Sequence, residues 1–373
     1  MNPELLPQIK AIHAATTPLV VAITGGGTSA IAELLAIPGG SQVLIEGVVP
    51  YHELALAEWL GGRPSSACCG STASAMAMAS YLRGRELMSH DQVAGIGLTA
   101  SLVSVRPKHG DHRIHAAWQT RQSSGRLTLV LEKGRRDRVE EELVATQLAL
   151  VAMAAGSGAP NTLAPQLAEA EHIERVIVHA PESWQGLVAG EKAMNPVGFD
   201  PHQRPIALFP GAFHPLHDGH RAMARVARQK LGLQVAWELS IANVDKPLLD
   251  FIAITERTSQ FGPDPYLLTR APTFVEKGRL VPGAVFVVGA DTIERVGAVR
   301  YYGGQVEQRD EALAELAQLG CRFLVFGRQW EGHFQGLEDL DLPPNLRDLC
   351  DGVTEEEFRH DISSTVIRQQ QVD

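Results

Sequence analysis

Two imidazoles, His217 and His220, stand three residues apart in the stretch Gly211-Ala212-Phe213-His214-Pro215-Leu216-His217-Asp218-Gly219-His220. Imidazole donors can follow negative charge as it develops on a phosphate. The apolar run before them, residues 205–210, reads as a buried strand. Residues 221–230 after them carry a helical pattern closed by Gly232. The pair therefore falls where a parallel strand hands over to a helix, which is where ligands bind in an open α/β sheet. Backbone N–H groups at such a helix start point outward and favour anions. No Gly-x-x-x-x-Gly-Lys-Ser/Thr loop occurs in the chain, so this phosphate site does not use a Walker-type lysine. Far downstream stands Asp361-Ile362-Ser363-Ser364-Thr365-Val366-Ile367-Arg368. Three hydroxyls followed by a guanidinium suit a helix N-terminus that grips phosphate oxygens.

The elements that would position these groups alternate along the chain. In residues 1–156 the pattern gives strands at 18–24, 42–49 and 92–99 and helices at 28–37, 52–60 and 74–82. A hairpin is expected from 112–120 and 126–132 with 123–125 as its turn, then a long helix from Asp137 stopped by Gly156. Residues 157–203 are expected to form a connector, with one strand near 174–179 and a turn at 195–198. From 204 to 373 the strand candidates are 206–209, 235–241, 284–288 and 323–326, with helices starting near Asp218, Leu248 and Asp310. The expectation is two α/β domains, the second a Rossmann-like doubly wound parallel sheet.

Composition bounds the function. The chain has 373 residues, comfortable for two domains, and 45% hydrophobic residues, enough for real cores. A net charge of −10 argues against a sequence-independent nucleic-acid binder. The N-terminus shows no secretory pattern, and the most apolar helical stretch, 143–155, contains Thr146 and Gln147 and is too short to span a bilayer. Four cysteines without metal or disulfide-framework spacing fit reduced thiols in a cytoplasmic protein. The cluster from His109 to His115 has ligand types for zinc, but His112 and His115 on a strand would face opposite sides, so no metal site is assigned there.

Together, the segments at 211–220 and 362–368 resemble the nucleotidylyltransferase superfamily, and most of all its nicotinamide- or nicotinate-nucleotide adenylyltransferases. Members carry Gly-x-Phe-x-Pro-x-His-x-Gly-His early and Ile-Ser-Ser-Thr-x-Ile-Arg late. The resemblance covers roughly residues 204–373. It implies transfer of AMP from ATP to a phosphate monoester, with release of pyrophosphate and with Mg²⁺ bridging phosphate oxygens. His217 and His220 would contact the triphosphate, and Gly211, Phe213, His214 and Gly219 would shape the loop. His214 stands where many relatives have Asn or Asp. Ser363, Ser364, Thr365 and Arg368 would hold the departing pyrophosphate. Gly289 and Asp291 match the family's Gly-x-Asp turn, which touches ribose or substrate. Arg328 matches an arginine after the fourth strand, and Lys246 sits where a cation reaches a phosphate. A cytidylyltransferase, or a non-catalytic nucleotide-binding scaffold, is the alternative.

Residues 11–156 resemble the CinA C-terminal family, whose active members hydrolyse the amide of nicotinamide mononucleotide. The likeness rests on Ile37-Pro38-Gly39-Gly40-Ser41 and Gly47-Val48-Val49-Pro50-Tyr51. Thr24 takes the family's serine position ahead of Gly25-Gly26-Gly27, and Tyr51 keeps its tyrosine. The lysine position falls on Leu56, and Gly97-Leu98-Thr99-Ala100-Ser101 replaces the Gly-x-Ala-Gly-Pro turn. A threonine hydroxyl needs an adjacent base to attack an amide, so the expectation is an amidase site lost or weakened. The likeness further implies a homo-oligomer.

Overall fold

The computed structural model describes residues 2–90, 92–105, 109–203, 205–243, 247–330 and 333–358. The chain divides into two compact units, Met1–Ala189 with Asp245–Thr255, and Gly190–Val244 with Glu256–Asp373.

In the N-terminal unit, six strands form one sheet: β1 (Leu19–Thr24), β2 (Leu44–Val48), β3 (Ala94–Ser101), β4 (His112–Gln119), β5 (Ser123–Leu131) and β6 (Ile173–His179), in the order β2-β1-β3-β4-β5-β6. The first three are parallel and the rest antiparallel. Helices α1 (Leu6–Ala15), α2 (Ser29–Leu35), α3 (Gly40–Val43), α4 (Glu53–Leu60), α5 (Gly70–Met88), α6 (Arg138–Ser157) and α7 (Glu182–Ala189) complete this part of the chain. β1 is apolar from Leu19 to Ile23 because both its faces are covered. Leu19, Val21 and Ile23 join Ile9 of α1 and Leu148 of α6, whereas Ala22 joins Leu56 and Leu60 of α4 and Met76 of α5.

The C-terminal unit holds β7 (Met194–Val197), β8 (Ala207–Pro210), β9 (Val235–Ser240), β10 (Tyr266–Thr269), β11 (Val285–Gly289), β12 (Arg322–Phe326) and β15 (Cys350–Val353) in one sheet, ordered β15-β12-β11-β8-β9-β10-β7. All are parallel except β7, which runs against β10. A small hairpin, β13 (Arg328–Trp330) with β14 (His333–Gln335), stands apart. The helices of this unit are α8 (Asp218–Leu231), α10 (Phe274–Leu280), α11 (Ala290–Gly297), α12 (Val306–Gln318) and α13 (Pro344–Arg347), while α9 (Phe251–Thr258) belongs to the first unit up to Thr255 and to the second from Glu256. Alternate residues of one strand feed two cores. Phe286, Val288, Phe323 and Val325 pack on one face, and Val287, Leu324 and Phe326 on the other with Phe209 and Trp237. This is the doubly covered parallel sheet that the sequence pattern anticipates.

Four local expectations need correction. The hairpin turn lies at 120–122, not 123–125: Thr120 Oγ1 accepts from the N–H groups of Gln122 and Ser123 at 3.2 and 2.9 Å. Gly125 is a strand residue opposite Trp118, where a Cβ would lie 2.0 Å from the indole. α6 runs through Gly156 and ends at Gly158, which adopts φ 74. Residues 195–197 belong to β7 rather than to a turn. The expected connector, 157–203, supplies β6 and α7 to the first unit and β7 to the second. The strand expected near 174–179 is present as β6, although it is largely solvent-exposed.

Candidate active site

Strand order fixes where a ligand can enter the C-terminal sheet. From β8 the chain proceeds to β9 and β10 on one side, while β11, β12 and β15 lie on the other. The reversal leaves a crevice at the carboxyl ends of β8 and β11. The 211–217 loop leaves β8 there, and Gly289, at the end of β11, N-caps α11 there.

The loop is held by packing and by one amide. Phe213 adopts φ 46, an uncommon conformation for a bulky residue, and is 2% exposed. Its ring stands edge-on to those of Phe261, Trp237, His220 and Phe209, with centroids 5.2–5.9 Å apart. Gly211 makes room for it: a Cβ there would lie 2.6 Å from Phe213 Cζ. Gln260 then clasps the loop from both sides. Its Nε2 donates to the Phe213 carbonyl at 3.0 Å, and its Oε1 accepts from Leu216 N at 2.8 Å. Arg221 donates to the Gln260 carbonyl at 2.7 Å. Sequence reasoning missed Gln260, because it lies over forty positions from the loop and belongs to no motif.

His217 is the N-cap of α8, with extended backbone at φ −131 and ψ 170. Its ring stacks on that of His220 with centroids 3.7 Å apart and planes 25° apart. The His217 N–H donates to His220 Nδ1 at 3.3 Å. Burial, and secondly the proximity of His217, pushes His220 down to about 4. His220 is therefore neutral at pH 7, and with Nδ1 acting as acceptor its proton sits on Nε2. The arrangement presents a neutral N–H donor at the positive end of a 14-residue helix.

The remaining expected residues fall as follows. Gly219 is buried in the first turn of α8, and His214 is exposed. Asp291, in the first turn of α11, forms an ion pair with Arg328, which also approaches Glu294 at 3.6 Å. The structure thus joins two residues that sequence reading treated separately, across the ends of β11 and β12. Lys246, Ser363, Ser364, Thr365 and Arg368 lie outside the described residues.

In the N-terminal unit, Thr24 closes β1 and is 6% exposed, while Tyr51 is 68% exposed. The glycine corner after Thr24 is engaged internally. Gly27 N donates to Glu142 Oε1 at 2.8 Å, and Arg138 Nη2 donates to the Gly25 carbonyl at 3.3 Å. His112 bonds Glu141 at 2.7 Å, whereas His115 lies on the other face of β4 beside Thr128.

Residues 208–370 match the cytidylyltransferase-like family. That span holds the imidazole pair, the Gly289–Asp291 turn, Arg328 and the distal hydroxyl-rich segment. This part of the chain is a nucleotidyltransferase domain of mixed α/β architecture. Solved structures of CinA-type proteins are similar to the N-terminal part. The competence/damage-inducible protein CihA from Agrobacterium tumefaciens is 21% identical over 42% of this chain and 96% of that one, with a TM-score of 0.34. The competence or damage-inducible protein from Enterobacter asburiae is 21% identical over 41% of this chain and 99% of its own, with a TM-score of 0.33. The CinA superfamily protein from Escherichia coli is 18% identical over 40% and 85%, with a TM-score of 0.31. No curated protein matches the chain. Among the described residues no helix is long and apolar enough to cross a membrane.

Proposed function

We propose that the C-terminal unit transfers AMP from ATP to a nicotinate or nicotinamide mononucleotide-like acceptor. The observation that carries this reading is the stacked His217–His220 pair at the start of α8, set at the topological switch point. An acceptor phosphate oxygen forms a bond to the α-phosphorus of ATP, the bond from that phosphorus to the bridging oxygen breaks, and pyrophosphate leaves. Such a transfer needs alignment and charge neutralisation more than covalent help. His220 Nε2–H would donate to an α-phosphate oxygen as charge builds, and as a neutral group it holds its proton throughout. His217 would steady the ring by stacking and contact the triphosphate, and the α8 N-terminus adds its partial positive charge.

Mg²⁺, when bound with the triphosphate, would neutralise part of its charge. It needs few protein ligands. Asp218, exposed in the first turn of α8, is the carboxylate beside the loop suited to such an ion, since Asp291 is engaged with Arg328. Lys246, Ser363, Ser364, Thr365 and Arg368 belong to this reading as further phosphate contacts. We place the activity in the cytoplasm.

The cytidylyltransferase-like match favours CTP as the second donor to try. The deciding experiment supplies ATP or CTP, Mg²⁺ and a panel of phosphate monoesters, and measures pyrophosphate. Turnover with ATP and pyridine mononucleotides supports the proposal. Turnover with CTP alone favours the cytidylyl reading, and none with any pair defeats both.

For the N-terminal unit we propose that amidase chemistry is lost. The imidazole sharing a row with Thr24 is that of His115, two strands away, about 10 Å at the usual strand spacing and beyond hydrogen-bond reach. Glu142 and Arg138 already occupy the backbone groups of the glycine corner.

A further inference from the structure

Strand register draws one row of polar residues across the N-terminal sheet. Thr24 pairs with Thr99, Thr99 with His115, His115 with Thr128, and Thr128 with Glu174. Residues two apart on a strand share a face. Arg113 on β4 and Arg126 on β5 therefore flank the His115–Thr128 pair on the same side of the sheet, one on either side of the row. That side is the one α5 covers, since Ala73 and Ala77 of the helix pack on Ala117 of β4.

The start of α5 comes down among these groups. A Cβ on Gly70, the first residue of this 19-residue helix, would lie 2.8 Å from Arg126 Cδ. Just before it, Cys68 Sγ lies 3.9 Å from the Arg113 carbonyl, and Ala67 O accepts from Thr99 Oγ1 at 2.7 Å. Cys69, the N-cap residue, keeps its thiol on Ser71 and Thr72 at 3.1 and 3.3 Å.

His115 is only 7% exposed, and its Nδ1 lies 3.0 Å from Thr128 Oγ1. Nε2, at the end of the ring away from the strand and toward the helix layer, is buried with no hydrogen-bond partner among the described residues. The buried Nε of Arg113 is in the same position. Burial first, then the charges of Arg113 and Arg126, push His115 down to about 4. A neutral imidazole donor, guanidinium groups and a helix N-terminus thus converge where the described residues give Arg113 and His115 no carboxylate partner. Glu174, at the far end of the row, is exposed and approaches His172 at 3.8 Å.

We propose that this corner binds a phosphate group, free or as a monoester, held by Arg113, Arg126, the N-terminus of α5 and His115 Nε2–H. The site lies wholly within the N-terminal unit and does not depend on the transferase reading. The test titrates the full-length chain with inorganic phosphate and, separately, with ribose 5-phosphate. It follows the imidazole NMR signal assigned to His115 by its disappearance in His115→Gln. A saturable shift is expected, with the His115 titration midpoint moving up as the anion offsets the guanidinium charges. Arg113→Gln should weaken binding about tenfold or more, and Arg113→Lys, which keeps the charge, should restore much of it. His220→Ala should leave the His115 response in place. A response to both ligands makes the phosphate group the handle, and a response to inorganic phosphate alone makes the free anion the ligand. A His115 signal unmoved by either at millimolar concentration, or moved equally in Arg113→Gln, overturns the proposal.

Discussion

Each unit runs a parallel strand into a glycine corner, yet the two corners are finished with different partners. After β1, the N–H of Gly27 meets a carboxylate, Glu142, and the Gly25 carbonyl meets Arg138. After β8, the loop N–H groups of Leu216 and His217 meet neutral acceptors, Gln260 and His220. An internal carboxylate takes the place an anionic ligand would want, whereas neutral acceptors leave the positive potential of a helix start available. The same strand-and-corner plan therefore gives a self-satisfied joint in one unit and a candidate phosphate site in the other.

The sharpest way to break this contrast is to perturb the corners themselves. Gly25 adopts φ 78, and a Cβ there would lie 1.9 Å from Ala100 O, so Gly25→Ala should cost the N-terminal unit roughly 3 kcal/mol or more in denaturant unfolding. A loss near zero would mean that the corner is not the rigid joint described here. A smaller effect, on rate rather than stability, is expected from Gln260→Leu. Losing both clasping bonds should lower kcat about tenfold with little change in KM, by the usual cost of misplacing a catalytic group. An equal loss in Gln260→Leu and in a surface control such as Gln308→Leu would remove the positioning role.

Much of this was legible in sequence, for identifiable reasons. β8, β11 and β12 announced themselves because burial on both faces makes a strand almost continuously apolar, and β9 because only Glu238 and Ser240 break its apolar run. α8 was marked by its histidines at one end and Gly232 at the other. β10 and β15 escaped notice: each is only four residues long, and Cys350-Asp351-Gly352-Val353 has no strand-like alternation. Gly125 looked like a turn residue because the reason for it, the Trp118 ring opposite, is a cross-strand fact. Gly156 looked like a helix stop for the same kind of reason, since it clears space near Ile96 and Trp118 inside α6. In the site, motif spacing named His217 and His220. The clasp by Gln260 and the pairing of Asp291 with Arg328 depend on tertiary contacts that spacing cannot express.

The most direct test measures pyrophosphate release from ATP and nicotinamide mononucleotide by the wild-type chain, by His220→Ala and by Thr24→Ala. The expected result is a drop of about 10²–10³-fold for His220→Ala, as for loss of a donor to developing charge, with Thr24→Ala within about twofold of wild type. A His220→Ala chain that stays folded and turns over at the wild-type rate would contradict the assignment of chemistry to the corner after β8.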